Sequence, residues 1–208
     1  YMDLGRKHFS IDFAGRPLIF EVSNIAEQAT AAVLGKYDGT TVLVTVVMRD
    51  EDKKVDYFPL VVDYEERFYA AGKIIGSRFV RREGRPSDEA ILSGRIVDRT
   101  IRPLFDHRLR RDTQVVITVI SIDEENDVDF IALLTASFAL SISKIPWAGP
   151  VAGIKVMKRV GSDEIVLNPK NSKIKNGFEF VSFVAGTEDR ISMIELEGID
   201  AKEEHTVK

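Results

Sequence analysis

Polar and apolar residues alternate with a period of two from Lys7 to Phe13 (KHFSIDF). The rhythm resumes in RPLIFEV, Arg16 to Val22, after Ala14-Gly15. Alternation of this kind sends successive side chains to opposite faces of a strand, so the two runs predict an antiparallel pair. TAAVLGKY and TTVLVTVVM flank Asp38-Gly39, a dipeptide whose two positions tolerate positive φ, and they predict a second hairpin. Thr40 to Met48 is almost wholly β-branched or apolar, which predicts a central strand buried on both faces. RDEDKK (Arg49 to Lys54) reads as a solvated loop, and FPLVVDY as the next strand.

The period lengthens after Pro86-Ser87, where Ser87 is an N-cap candidate with Asp88 and Glu89 in the first turn. On this helix Ile91, Leu92, Ile96 and Ile101 are the predicted buried stripe. Arg95, Arg99 and Arg102 recur at i, i+4 and i+7 on one face, and Pro103 closes the helix. TQVVITVISID is a strand and DEEND its acidic loop. DFIALLTASFALSIS (Asp129 to Ser143) is apolar nearly all round and predicts a buried helix ended by Ile145-Pro146. Strands are predicted over Val151–Lys158, Glu164–Leu167, Glu179–Ala185 and Ile191–Glu197, with a turn at Gly186 to Asp189. Residues 1–198 read as one core domain, and the change of composition at GIDAKEEHTVK makes 199–208 the start of a linker or helical domain. The class is α+β: mostly antiparallel sheets with packed helices.

Composition narrows the choice of function. No apolar run approaches the ~20 residues of a membrane span, and the first residues lack the apolar core of a signal peptide. The absence of cysteine excludes disulfides and thiolate metal sites and suits a cytoplasmic protein. The net charge is −4, yet residues 78–111 hold ten arginines against five acidic residues, so positive charge is concentrated in one place. An acidic pI argues against coating by nucleic acid but not against a local anion site, because screening limits charge effects to ~8 Å.

Phe79, Arg81, Arg82 and Arg85 lie between AAGKIIGS and a Gly-Arg-Pro turn. An aromatic ring among arginines suits single-stranded RNA: the ring stacks on any base while guanidinium groups neutralise phosphate. A solvated basic loop with Phe79 in the core is the competing reading. Arg95, Arg99 and Arg102 are open to phosphate or RNA contact, or to pairing with Asp98, Asp106 or a neighbouring subunit. His8, His107 and His205 are far apart in sequence and suggest no shared site. Asp123, Glu124, Glu125, Asp127 and Asp129 read as a solvated turn rather than a cation site. AGKIIGS lacks the spacing of a phosphate-binding P-loop.

FVRREGRPSDEAILSGRIVDRTIRPLF resembles the first core domain of the bacterial polynucleotide phosphorylases, within the RNase PH family. YDGTTVLVTVVM, DYEERFYAAGKI, ALSISKIPWAGPVAGI and VAGTED extend the resemblance from about Lys7 to Glu197. It implies an RNase PH-like fold (ribosomal protein S5 domain 2-like) and a homotrimer with two such domains per chain around a central channel. The implied activity is 3′→5′ phosphorolytic exoribonuclease and polyribonucleotide nucleotidyltransferase, releasing nucleoside diphosphates. Mg or Mn and inorganic phosphate are implied for the full-length enzyme, and none of them for this domain. Implied partners are single-stranded RNA, the chain's own second RNase PH-like domain and RNA degradosome components.

The family's RNA-contacting loop maps onto Phe79, Val80, Arg81 and Arg82. Val80 replaces a second aromatic found in many members, so one stacking platform is missing.

The resemblance assigns this domain no catalytic or metal-binding residue. Where the active second domain binds phosphate with a serine-rich turn, this chain has Asp127, Val128 and Asp129, which repel phosphate. Where that domain has two aspartates and a lysine, this chain has Lys175, Val181 and Phe183. Two other readings stay open: a stand-alone RNase PH with Arg95 helping to hold phosphate, and a non-catalytic subunit of an exosome-like ring that binds RNA through Arg81, Arg82 and Arg85.

Overall fold

The computed structural model describes residues 5–74, 86–175 and 177–198. Ten strands form two sheets. The first has the order β1-β2-β3-β4-β6-β5 and contains β1 (Lys7–Phe13), β2 (Arg16–Val22), β3 (Ala31–Tyr37), β4 (Thr40–Asp52), β5 (Leu60–Glu66) and β6 (Arg111–Ser121). The second has the order β10-β9-β7-β8 and contains β7 (Ala152–Lys158), β8 (Ile165–Leu167), β9 (Phe180–Gly186) and β10 (Ile191–Gly198). Every neighbouring pair is antiparallel except β5 with β6. Helices α1 (Asp88–Ile101) and α2 (Val128–Ile142) lie between the sheets, with α2 touching β3 and β4 on one side and β7 on the other. The α+β class is as expected.

Hydrophobicity along α2 dictates this layering. A helix that is apolar all round must be covered on all sides, and Phe130, Ile131, Leu133, Ala136, Ala139 and Leu140 are at most 1% exposed. Its polar residues are satisfied locally. The Thr135 hydroxyl donates to the Ile131 carbonyl at 2.6 Å, and Ser137 accepts from the Val151 amide at 2.9 Å. The backbones approach closely at Gly35 of β3, where a Cβ would lie 1.8 Å from Thr135 Oγ1.

Several expectations are corrected. Thr40, Val42, Val44 and Val46 of β4 are buried, but Thr41, Leu43, Thr45 and Val47 are only half-buried, because among the described residues no helix packs on the outer face of the sheet. Arg49–Asp52 is solvent-exposed but continues β4, held where Asp52 pairs with Arg111 beyond a shift of register and by an ion pair of 3.2 Å. In the β3–β4 turn Asp38 has φ 54°, while Gly39 is not at positive φ. Gly39 is required by space, since a Cβ there would sit 2.8 Å from Asp123 Cβ.

On α1 the buried stripe is Ala90, Gly94, Val97 and Ile101, while Ile91 and Leu92 are 49% and 56% exposed. Small residues win because α1 packs tightly on β5: a Cβ on Gly94 would meet Tyr64 Cβ at 3.3 Å. Ser87 caps the helix as expected, accepting from the Ala90 amide at 3.0 Å. A five-residue helix, α3 (Asn171–Lys175), was not expected. Tertiary hydrogen bonds hold it: Asn171 donates to the Glu124 and Glu125 carbonyls, and Ser172 to the Glu125 carboxylate at 2.7 Å. The expected boundary after residue 198 concerns a segment that lies outside the described residues.

Gly35→Ala should lower stability by ~1–3 kcal/mol through overpacking. Combined with Thr135→Ala, which removes the nearest clashing atom, the loss should be clearly smaller than the sum of the two single changes. Urea-unfolding midpoints of the four proteins check this, and strict additivity would refute the proposed contact.

Candidate nucleic-acid interface

The basic stretch is built into the connection between β5 and β6. After β5 the chain makes a 3-10 turn over Phe68–Ala71, stopped by Gly72 in the left-handed region (φ 65°). The Gly72 amide donates to Tyr69 O at 3.0 Å and the Lys73 amide to Phe68 O at 2.9 Å. This accounts for the glycine in YAAGK. The chain is next described at Pro86, which leads into α1. Phe79, Arg81, Arg82 and Arg85 lie outside the described residues.

The two described ends of the connection flank a cavity of about 660 Å³ whose walls include Tyr64, Glu66, Arg67, Lys73 and Ser87. Phe68, which lines the cavity, and Tyr69 next to it in sequence are 47% and 59% exposed. Both were missed in the sequence, although an aromatic pair just ahead of an Ala-Ala-Gly turn was the available signal. Arg67 is held by Glu65 at 2.5 Å.

The helix arginines separate into two kinds. Arg102 donates to Asp98 at 2.7 Å and to the Leu60 carbonyl at 3.1 Å, tying the end of α1 to the start of β5. Arg95 and Arg99 are exposed and make no ion pair with a described residue. Asp106 serves Arg108, not the helix. Hydrogen bonds from the Arg108 side chain and amide hold the Asp106 carboxyl down at about 2. Arg110 donates to the His107, Leu109 and Asp56 carbonyls, and Arg111 to Asp52. Four of the six described arginines of the stretch are therefore engaged within the fold, which leaves Arg95 and Arg99 as the available cations among the described residues.

The acidic loop before α2 is not the solvated turn expected; of its five acids only Glu124 is exposed. Asp123 accepts from the Gly39, Glu125 and Asn126 amides, from the Thr40 hydroxyl and from the Asn126 side chain. Burial pushes its carboxyl upward, but these hydrogen bonds prevail and it lies below the ordinary range. Asp127 caps α2 by accepting from the Asp129 amide at 3.0 Å, and its other oxygen is 2.6 Å from Lys155 Nζ.

Carboxylates thus fill the N-terminus of α2, where the macrodipole would otherwise favour an external anion. Lys175 is exposed, while Val181 and Phe183 are buried in β9 at 8% and 4% exposure; these three offer no carboxylate to a divalent cation. His8 lies 3.7 Å from Glu21 and His107 is exposed elsewhere, whereas His205 is outside the described residues.

The fold agrees with the comparisons. Residues 14–146 match the model of the 3′ exoribonuclease family, domain 1, the RNase PH domain. The chain belongs to this family. The polyribonucleotide nucleotidyltransferase of Anoxybacillus flavithermus is 47% identical over 199 residues, covering 95% of this chain and 28% of that protein. That of Bacillus mycoides is 47% identical over 206 residues, covering 99% and 28%. The chain thus spans little more than a quarter of the length of these curated relatives. The crystal structure of rice Rrp46 shares the fold, with a TM-score of 0.69 at 13% identity over 98% of this chain and 85% of that one.

Arg102→Ala should destabilise the domain by ~1–2 kcal/mol, since it removes an ion pair and leaves a backbone carbonyl without its donor. Arg95→Ala and Arg99→Ala should stay within about 0.5 kcal/mol of the parent. Thermal unfolding of the three variants distinguishes the two kinds of arginine; equal losses would contradict the division.

Proposed function

We propose that this is the RNA-binding, ring-forming first core domain of a polynucleotide phosphorylase. The whole protein would shorten RNA from its 3′ end with inorganic phosphate, releasing nucleoside diphosphates, and would run the reverse polymerisation. The observation that carries the reading is the 47% identity, over 95% of this chain, to a protein named polyribonucleotide nucleotidyltransferase. In this reading the protein is cytoplasmic and trimeric, and its partners are single-stranded RNA, its own second RNase PH-like domain and RNA degradosome components. Residues 199–208 would begin the connection to that second domain.

Phosphorolysis needs a held phosphate and a divalent cation, Mg or Mn, to offset charge on the scissile phosphodiester. Asp127 and Asp129 present carboxylates where phosphate would have to sit, and Lys175, Val181 and Phe183 offer a cation no ligand set. The chemistry therefore belongs to another domain, and this one holds the strand. Phe79 would stack on a base, Arg81, Arg82 and Arg85 would neutralise phosphates, and Arg95 and Arg99 would extend the same track along α1. Arg102, engaged with Asp98 and Leu60, drops out of the contact set.

Binding of a labelled oligoadenylate by the 208-residue chain tests the reading. For Arg81→Ala with Arg82→Ala, affinity should fall and the log-log salt slope flatten by about 1–2, since each lost single-strand phosphate contact removes ~0.7. An unchanged slope would assign these arginines to structure. Incubation of the same chain with phosphate and metal should leave the oligonucleotide intact; robust shortening would overturn the silent role.

A further inference from the structure

The second sheet is open on the side away from α2. Gly153 and Phe183 face that helix, since a Cβ on Gly153 would lie 2.6 Å from Leu133 and 2.8 Å from the Phe183 ring. Alternation along the strands therefore turns Ile154, Val184 and Ile194 outward as one row in register, and Val156, Ser182 and Leu196 as the next. Among the described residues no helix packs on this face. β10 ends the sheet. Among the described residues it pairs with β9 alone, and its Ile191, Ile194 and Leu196 are 65%, 64% and 52% exposed. On the free side of such a strand every second residue points its N–H and C=O away from the sheet, a template for one more strand.

The other face of β10 carries the opposite chemistry. Glu195 stands in register with Phe183 and Glu197 with Val181, and both glutamates are exposed. Neither makes an ion pair with a described residue. These charges decide what can occupy the edge. A second copy of β10, paired antiparallel along its length, would set glutamate against glutamate, which disfavours it. A polyanion is repelled for the same reason. An apolar helix laid on the outer face would leave the outward N–H and C=O groups of β10 unpaired.

We propose that β10 is a docking edge for an extended segment of another protein in which Lys or Arg alternates with apolar residues such as Val or Ile. Paired on β10, such a segment continues the apolar rows past Ile194 and Leu196 on the outer face. On the inner face it sets its cations across from Glu195 and Glu197. Backbone hydrogen bonds supply attachment without regard to sequence, and the two sets of side chains fix which way the segment faces. The shift of register between Ile191 and Met193 breaks the flat edge at its start, so the dock runs from Met193 to Gly198. The excess of acidic over basic residues outside 78–111 favours the approach of a basic segment. The assignment is independent of the RNA reading, whose residues lie in the connection after β5 and on α1.

Titration of the nitrogen-15-labelled 208-residue chain with a peptide of alternating Val and Lys, about as long as β10, tests the dock. Amides of β10 should shift and gain protection from hydrogen exchange. A peptide of the same composition in scrambled order, and one of alternating Val and Glu, should bind about tenfold more weakly. Glu195→Lys combined with Glu197→Lys should reverse the preference between the Lys and Glu peptides. N-methylated peptides test the pairing on the unaltered protein. Methylation of the Val amides alone or of the Lys amides alone should abolish binding in one case only, because a strand pairs through one of its edges. Binding that survives both methylations, equal binding of the scrambled peptide, or shifts confined to residues outside β9 and β10 would overturn the proposal. So would a dimer in sedimentation equilibrium that Ile194→Thr dissolves, which would give the edge to a second copy.

Discussion

One helix that tolerates water on no side sets the architecture. Because α2 is apolar around its whole circumference, a single sheet could cover only half of it, and the chain supplies a second sheet for the rest. The close contacts follow: Gly35 and Gly153 are the points where a side chain would collide with Thr135, Leu133 or Phe183. The polar residues near the N-terminus of α2 are drawn into the same enclosure. Asp127 cannot retreat to solvent without uncapping the helix, so it meets Lys155 in a partly dry space.

Positive charge along the chain is a poor guide to positive charge available to a ligand. The stretch from 78 to 111 is rich in arginine, yet Arg102, Arg108, Arg110 and Arg111 close backbone carbonyls and nearby carboxylates. These contacts mend the ends of α1 and β6. Among the described residues Arg95 and Arg99 remain, on the solvent side of a helix whose other face is packed by alanine, glycine and valine. The chain is acidic overall, but charge acts locally over a screened distance, so this need not conflict with a basic face on α1.

Much of the fold was legible because its signals are local. Period-two runs, the Ser87 cap and the continuous apolar run of α2 each carry their meaning within a dozen residues. What failed depends on partners far away in sequence. Ile91 and Leu92 outrank Ala90 and Gly94 in hydrophobicity, but the distance to Tyr64 decides which face is buried. The extension of β4 to Asp52 depends on Arg111, and α3 depends on Glu124 and Glu125. At the site, spacing put Arg95, Arg99 and Arg102 on one face, but only the position of the Leu60 carbonyl separates the engaged arginine from the other two. Phe68 and Tyr69 precede the basic run, and only the fold shows that both are exposed.

The parallel alignment of β5 with β6 has a mechanical consequence. A hairpin joining them would bind loop length to strand register, so any insertion would shear the sheet. Here the chain must travel back along the domain, and α1 makes the return journey. The described ends of that connection are fixed by the Gly72 turn on one side and by the Ser87 cap on the other. A crossover of this kind is not tied to strand register, so its length and chemistry can vary without shearing the sheet.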